Sequence, residues 1–141
     1  LAEGGYKLLG ERLTLDDIEV PLCAVACETD HIAPWKDCYR GVQQMGSKDK
    51  TFIMAQSGHI AGIVNPPSRN KYGHYVNGDL SQDYAAWREA ATYHEGSWWP
   101  RWGKWLVKRA GAMIPARFPG DDGREVLGDA PGAYVARKAN D

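Results

Sequence analysis

The chain has 141 residues, of which 43% are hydrophobic and 25% are charged, and its formal net charge is −1. This length suits one domain, and the balance of 17 basic against 18 acidic residues gives no broad attraction to nucleic acid or to an anionic membrane surface. No run of about 18 apolar residues is present, which excludes a transmembrane helix from the sequence shown. The first residues carry no basic and apolar signal segment, and because the chain begins with Leu1 rather than Met, we expect further chain upstream.

Three cysteines are present, Cys23, Cys27 and Cys38. Their odd number, with no secretory signal, argues against a disulfide framework and favours a cytosolic setting. Cys23 and Cys27 are four residues apart, but no second Cys/His pair follows at the spacing of a zinc site. We therefore expect these thiols to be buried as small apolar groups.

The first part of the chain is predicted to form a strand followed by a helix. Residues 1–17 are polar and rich in glycine, as in a connector. Residues 18–27 end in a continuous apolar run, which predicts a strand buried on both faces. The polar residues 28–31 follow, and Pro34 suits the first turn of a helix. Apolar residues at helical spacing from Trp35 to Met45 predict the helix itself.

A second apolar run, residues 51–55, predicts another strand and ends in the polar turn 56–59. Strand, helix and strand in this order predict a parallel pair joined by a right-handed crossover. Residues 28–31 and 56–59 then lie at the same carboxyl edge of the sheet. That edge is where open α/β sheets hold ligands and catalytic groups.

The remaining chain gives weaker patterns. Residues 65–80 contain proline, glycine and polar residues and predict loops and turns. A helix is predicted from Leu80 to about Ala91, interrupted by residues 96–100, and a short helix over 102–110. Residues 111–141 predict an extended, lightly structured tail.

Asp30 and His59 are the candidate catalytic pair because each lies in the polar turn that follows a predicted strand. A carboxylate that holds one imidazole nitrogen leaves the other as a base. The alternative is that Asp30 caps the next helix and His59 is an ordinary loop residue. His31 adjoins Asp30 but is expected to make a local hydrogen bond, and no spacing supports a metal site from Glu28 and these residues.

A nucleophile for this pair is not evident, since the chain contains neither a G-x-S-x-G pentad nor its cysteine equivalent. His74 and His94 lie in polar contexts, and no sequence pattern assigns a function to them. The tryptophans from Trp87 to Trp105 are expected to pack the C-terminal helices on the sheet, or alternatively to form an apolar surface for a substrate or partner. With few basic neighbours, they do not indicate nucleic-acid binding.

Three strings point to a known family: ETDHIAPW at 28–35, SGHIAGIVNPP at 57–67 and GSWWP at 96–100. They closely resemble the C-terminal part of polyhydroxyalkanoate synthases, and residues 129–135 look like that family's C-terminus. The resemblance covers almost the whole chain. The long tail with its tryptophans is more similar to the long-subunit synthases, classes I and II.

The resemblance implies an α/β fold, namely the C-terminal portion of an α/β-hydrolase domain with its last two parallel strands, flanking helices and an incomplete sheet. It implies the end of a cap region over residues 1–17, catalytic domain over 18–110 and an extended tail over 111–141. Asp30 and His59 match the family's catalytic residues. His59 would deprotonate a cysteine nucleophile absent here, and Asp30 would orient His59 or help activate the monomer hydroxyl.

The implied function is acyl transfer that polymerises (R)-3-hydroxyacyl-coenzyme A into polyester and releases coenzyme A. The implied setting is the cytoplasm, at the surface of storage granules, as a homodimer when full length. No cofactor or metal is implied, because the coenzyme A thioester is the substrate. Two alternatives remain open, a fragment of a related esterase or depolymerase and a non-catalytic granule-associated protein. We expect the chain alone to be inactive.

Overall fold

A computed structural model describes residues 1–140. The chain divides into two compact units, one spanning Leu1–Ala110 and the other beginning at Gly111. The described part of the second unit contains only two short 3₁₀ turns, Asp121–Gly123 and Tyr134–Ala136. All the strands and α-helices assigned within residues 1–140 lie in the first unit.

The first unit begins with an antiparallel hairpin of β1 (Tyr6–Leu8) and β2 (Glu11–Leu13). Its two loop residues, Leu9 and Gly10, both have positive φ, 51° and 90°, the backbone geometry that suits a tight hairpin turn. A 3₁₀ turn, Leu15–Asp17, follows. The segment that the sequence predicts as a connector therefore contains a hairpin whose residues are exposed.

The predicted strand–helix–strand unit is confirmed. Strand β3 (Leu22–Cys27) pairs in parallel with β4 (Lys50–Ala55), and α1 (Trp35–Gln44) connects them. In the register, Leu22 lies opposite Lys50, and Cys27 opposite Ala55.

The sheet is larger than predicted. Strands β5 (His74–Val76) and β6 (Thr92–His94) extend it with antiparallel pairing, giving the order β3-β4-β5-β6. The expectation of two strands was wrong, as was that of turns throughout 65–80. Strands of three residues are too short to show an alternating pattern. Strand β5 forms here by pairing with β4, and β6 forms by pairing with β5.

Two helices also differ from their predicted bounds. Helix α2 (Tyr84–Ala90) begins after Asp83, whose carboxylate accepts hydrogen bonds from two backbone N–H groups of the first turn. It ends before β6, so the predicted continuation to Ala91 is one residue too long. Helix α3 (Trp99–Val107) begins three residues before the predicted start at 102, because Pro100 suits the first turn of a helix rather than its interruption.

Strand β4 forms the centre of the core. Phe52 and Met54 are buried with residues of α1 and α2, whereas Ile53 and Ala55 are buried with Trp98. The strand is thus covered on both faces. The expectation that the first predicted strand is buried on both faces was wrong for most of β3, which is only half-buried, since it is the edge strand of the sheet within residues 1–140.

No helix in the described range 1–140 is long and apolar enough to cross a membrane.

Replacing Phe52 with alanine tests this core. The Phe52 ring lies 5.2 Å from that of Tyr39 and 5.1 Å from that of Trp87, centroid to centroid. The substitution leaves a cavity, and we expect Phe52→Ala to lower the free energy of unfolding by about 3–5 kcal/mol. Urea unfolding followed by circular dichroism measures this change.

The chain offers a matched control, Phe118→Ala, because Phe118 is 71% exposed. That variant should unfold close to the parent. Equal effects of the two substitutions would contradict the assignment of the core.

Candidate active site

The turns after β3 and β4 are joined by backbone hydrogen bonds. The N–H of Glu28 donates to the carbonyl of Ala55 at 2.8 Å, and the N–H of Thr29 donates to that of Ser57 at 3.1 Å. The parallel ladder therefore continues past the strand ends and holds the two turns side by side. This continuation brings Asp30 and His59 to one edge of the sheet.

The side chains of Asp30 and His59 are in contact. His59 Nδ1 lies 2.7 Å from Asp30 Oδ2. The other carboxylate oxygen accepts backbone hydrogen bonds from Ile32 at 2.8 Å and Ala33 at 2.9 Å. Asp30 therefore orders its own loop and holds the imidazole, but it does not cap α1, whose N-cap is Pro34.

These contacts keep Asp30 ionised. The backbone N–H of Ala33, with the further hydrogen bonds from His59 and Ile32, lowers the pKa of the carboxyl from 3.8 to about 2 against the opposing effect of desolvation. Because a carboxylate only accepts hydrogen bonds, the facing Nδ1 of His59 must donate. The Nε2 lone pair of the neutral ring is then available to take a proton.

Solvent reaches the two partners unequally. The Asp30 side chain is 7% exposed and the His59 side chain 48%. The carboxylate is thus enclosed behind the imidazole, while the ring is accessible to a reacting group. Such an arrangement is chemically suited to an acid that orients a base.

The loop after His59 is fixed by the tryptophans of the GSWWP string. The indole N–H of Trp98 donates to the carbonyl of Gly62, and that of Trp99 to the carbonyl of Ile63, each at 2.9 Å. A Cβ on Gly62 would lie 2.5 Å from Cys27 Sγ, so only glycine fits there. The sequence predicted that these tryptophans pack in the fold, but no pattern in it indicated the hydrogen bonds of their indole N–H groups.

None of the three cysteines is an activated nucleophile. Burial, with smaller contributions from Asp30 and Cys38, raises the pKa of the Cys27 thiol to about 11. Burial also raises the pKa of the Cys23 and Cys38 thiols. A thiol with a raised pKa is a poor nucleophile at neutral pH.

The other residues that the sequence analysis considered as candidates are not part of the Asp30–His59 pair. His31 is exposed, and Glu28 forms an ion pair with Arg88 at 3.0 Å. His74 and His94, to which the sequence assigned no role, stack with their ring centroids 5.4 Å apart. Within residues 1–140, no group of three or more His, Cys, Asp and Glu side chains is arranged to hold a metal ion.

Comparison with known proteins finds several relatives that are all named poly(3-hydroxyalkanoate) polymerases. The chain is 40% identical over 138 residues to the poly(3-hydroxyalkanoate) polymerase subunit PhaC of Rhizobium etli. The aligned residues cover 98% of the chain and 22% of that protein. It is 43% identical over 140 residues to a poly(3-hydroxyalkanoate) polymerase of Methylorubrum extorquens, covering 99% of the chain and 23% of the relative. For PhaC of Cupriavidus necator the identity is 38% over 138 residues, covering 96% and 23%.

No family model matches the chain. The chain spans less than a quarter of the length of these relatives and corresponds to their C-terminal part. The resemblance to polyhydroxyalkanoate synthases is therefore confirmed over nearly the whole sequence.

The ring tautomer of His59 tests the contact with Asp30. We expect ¹⁵N NMR of the neutral ring to show a protonated Nδ1 and an unprotonated Nε2. In Asp30→Asn, we expect the amide oxygen to accept the hydrogen bonds from the N–H groups of Ile32 and Ala33. The NH₂ group then faces the imidazole. Because the amide donates, the tautomer should invert.

His31 serves as the internal control, since its ring signals should not respond to the same substitution. An identical His59 tautomer in the parent and in Asp30→Asn would contradict the observed contact.

The low pKa of Asp30 predicts a dependence of stability on pH. Its folded value of about 2 lies below the ordinary value of 3.8, so the carboxylate stabilises the fold above 3.8 and this contribution disappears as pH falls to about 2. The stability difference between the parent and Asp30→Asn, measured by urea unfolding, should shrink over that interval. A difference that stays constant or grows on acidification would refute the prediction.

Proposed function

We propose that the chain is the C-terminal part of the catalytic domain of a polyhydroxyalkanoate polymerase and supplies two members of a Cys–His–Asp triad. The observation that carries the proposal is the 2.7 Å contact between His59 Nδ1 and Asp30 Oδ2. The reaction is acyl transfer, in which (R)-3-hydroxyacyl-coenzyme A is polymerised into polyester and coenzyme A is released. The similarity to the named polymerases supports this choice of chemistry.

The proposed domain is an α/β-hydrolase. In that fold the acid and then the histidine follow successive strands, after a nucleophile earlier in the chain. Asp30 after β3 and His59 after β4 occur in this order. Within residues 1–140 the outer edge of β3 has no partner strand, and it offers backbone groups to which further strands of such a sheet can be added. Residues 1–17 would then belong to a cap, 18–110 to the catalytic domain and 111–141 to an extended tail.

In the proposed mechanism, His59 Nε2 takes the proton of the cysteine thiol that another part of the polymerase provides. The thiolate attacks the thioester carbonyl carbon, the acyl group is transferred to the cysteine, and coenzyme A leaves with a proton returned by His59. In the following transfer, the hydroxyl oxygen of one acyl group attacks the thioester carbonyl carbon of another, the C–S bond breaks, and the hydroxyl proton passes to the released thiol as the ester bond of the polymer forms.

Asp30 acts in this mechanism by orienting His59. Both of its oxygens are occupied, Oδ1 by the N–H groups of Ile32 and Ala33 and Oδ2 by His59. A carboxylate in direct contact with a monomer hydroxyl would have to give up one of these hydrogen bonds. The geometry therefore favours the orienting role over direct activation of the hydroxyl.

The surroundings of the pair suit an acyl substrate. Ile32, which follows Asp30, is 66% exposed, and Ile60, next to His59, is 72% exposed. Val64 in the same loop is 57% exposed. Apolar side chains exposed around a catalytic pair provide contact area for a hydrocarbon chain. We further propose that the complete polymerase acts as a homodimer at cytoplasmic granule surfaces and uses the thioester without a cofactor.

A segment exchange tests the proposal. The matching C-terminal segment of the Cupriavidus necator relative is replaced by this chain, and coenzyme A release and polymer mass are measured on hydroxybutyryl-coenzyme A. We expect an active hybrid, whose activity falls by about 10⁴-fold or more in His59→Gln and in Asp30→Asn, since loss of a triad member has effects of this size. The isolated chain should release no coenzyme A.

The control is His31→Gln, which changes an exposed neighbouring histidine and should leave the hybrid active. A soluble hybrid without activity, or hybrids that keep full activity with both substitutions, would overturn the proposal. In the second case, the non-catalytic granule role is favoured. Release of free hydroxy acid without polymer would favour the esterase or depolymerase alternative.

A further inference from the structure

A cavity of about 650 Å³ lies beside α3, and its lining does not include Asp30 or His59. This volume is in the range of small-molecule sites. The sheet contributes Thr51, His74 and His94, and the helix contributes Arg101 and Trp105. The cavity is lined entirely by residues of the first compact unit.

The charge of this cavity is mostly positive. Its lining includes four cationic side chains and two carboxylates: Arg101, Lys104, Lys108 and Arg109, with Asp49 and Glu95. Arg109 is paired with Asp49. Between residues 1 and 140, neither Lys104 nor Lys108 has a hydrogen bond or an ion pair. The positive charge at the cavity therefore exceeds what its own carboxylates balance.

The central group is Arg101, which two imidazoles hold in place. Arg101 Nε donates to His74 Nε2 at 3.3 Å, and Arg101 Nη2 lies 3.1 Å from His94 Nε2. A guanidinium group only donates hydrogen bonds, so both ring nitrogens must accept. His74 Nδ1 in turn lies 3.0 Å from the carbonyl of Gly96 and donates to it.

These contacts orient Arg101 without cancelling its charge. Burial, opposed by the Gly96 hydrogen bond and assisted by the Arg101 charge, lowers the pKa of His74. Its ring therefore stays neutral beside the guanidinium. No carboxylate in the described range 1–140 forms an ion pair with Arg101. A fixed guanidinium with spare N–H donors suits a planar or tetrahedral oxyanion.

The Trp105 side chain also lines this cavity. Its indole N–H is buried and has no hydrogen-bond partner among residues 1–140. A buried polar group without a partner is uncommon in folded proteins. Because this N–H group is closed to solvent, the chemistry of a ligand in the cavity follows from the charges of Arg101, Lys104 and Lys108 rather than from the indole.

We propose that the cavity beside α3 binds a phosphate group, carried either by inorganic phosphate or by a nucleotide, through Arg101, Lys104 and Lys108. The site is separate from the Asp30–His59 pair and does not rest on the proposed polymerase activity. Phosphate fits because its oxygens accept several charge-assisted hydrogen bonds at once. The Arg109 guanidinium lies 4.0 Å from the centroid of the Trp105 ring, so an adenine ring has only the opposite face of this indole as a stacking partner.

The test uses the 141-residue chain and follows the backbone and indole signals in ¹H–¹⁵N NMR spectra. Sodium phosphate and AMP are titrated separately, with sodium chloride at equal ionic strength as the reference. We expect saturable shifts at Trp105 and Arg101 with phosphate or AMP. Tenfold tighter binding of AMP identifies a nucleotide site, and equal affinities identify a site for phosphate itself.

Variants locate the site. Arg101→Gln should weaken binding by about tenfold or more, corresponding to about 1.4 kcal/mol. Because Arg101 also orders His74, Lys104→Gln and Lys108→Gln provide variants that leave those contacts intact, and each should weaken binding by several fold. The control is Lys7→Gln, which removes the same charge from the exposed hairpin and should bind like the parent.

Three results would overturn the proposal. They are no saturable shift with either ligand in the folded chain, equal shifts with sodium chloride, and equal affinity for all four variants. Thermal melting of each variant by circular dichroism confirms that the protein under test is folded, so a loss of binding is assigned to the site.

Discussion

The parallel register of β3 and β4 is the constraint on which the candidate site depends. Side chains alternate between the faces of a sheet, so a slip of one residue would exchange the two faces of β4. It would also separate the turns joined by Glu28, Ala55, Thr29 and Ser57. The apolar residues on both faces of β4 therefore fix the register, and the register brings together two side chains that are 29 residues apart in sequence.

The sequence predicted the part of the fold that long apolar runs encode. The strand–helix–strand unit and the placement of Asp30 with His59 follow from such runs and from the polar turns after them. Strands β5 and β6 were missed because each has three residues and forms only by pairing with a neighbour. The hydrogen bonds of the indoles were missed for a related reason. The sequence shows that a tryptophan side chain is large and apolar, but it does not show which carbonyl its N–H group faces in the fold.

The two strings most specific for the family form one physical unit. Trp98 and Trp99 donate to carbonyls in the loop that follows His59, and Trp98 also packs with the end of β4. The large ring is anchored in the core, and its N–H group fixes the irregular backbone beside the catalytic candidate. A loop that carries a reactive residue needs such support, because its own backbone groups are not satisfied by a strand or helix.

Two histidines, His59 in the turn after β4 and His74 in β5, have surroundings that lead to opposite chemistry. His59 is half exposed and faces a carboxylate, which interacts favourably with the positive charge that forms when Nε2 takes a proton. His74 is buried against a guanidinium, and both its burial and that charge oppose protonation. The first ring can therefore serve as a base, whereas the second can only accept a hydrogen bond. Its effect is to hold Arg101, so that the charge available at the cavity belongs to the arginine.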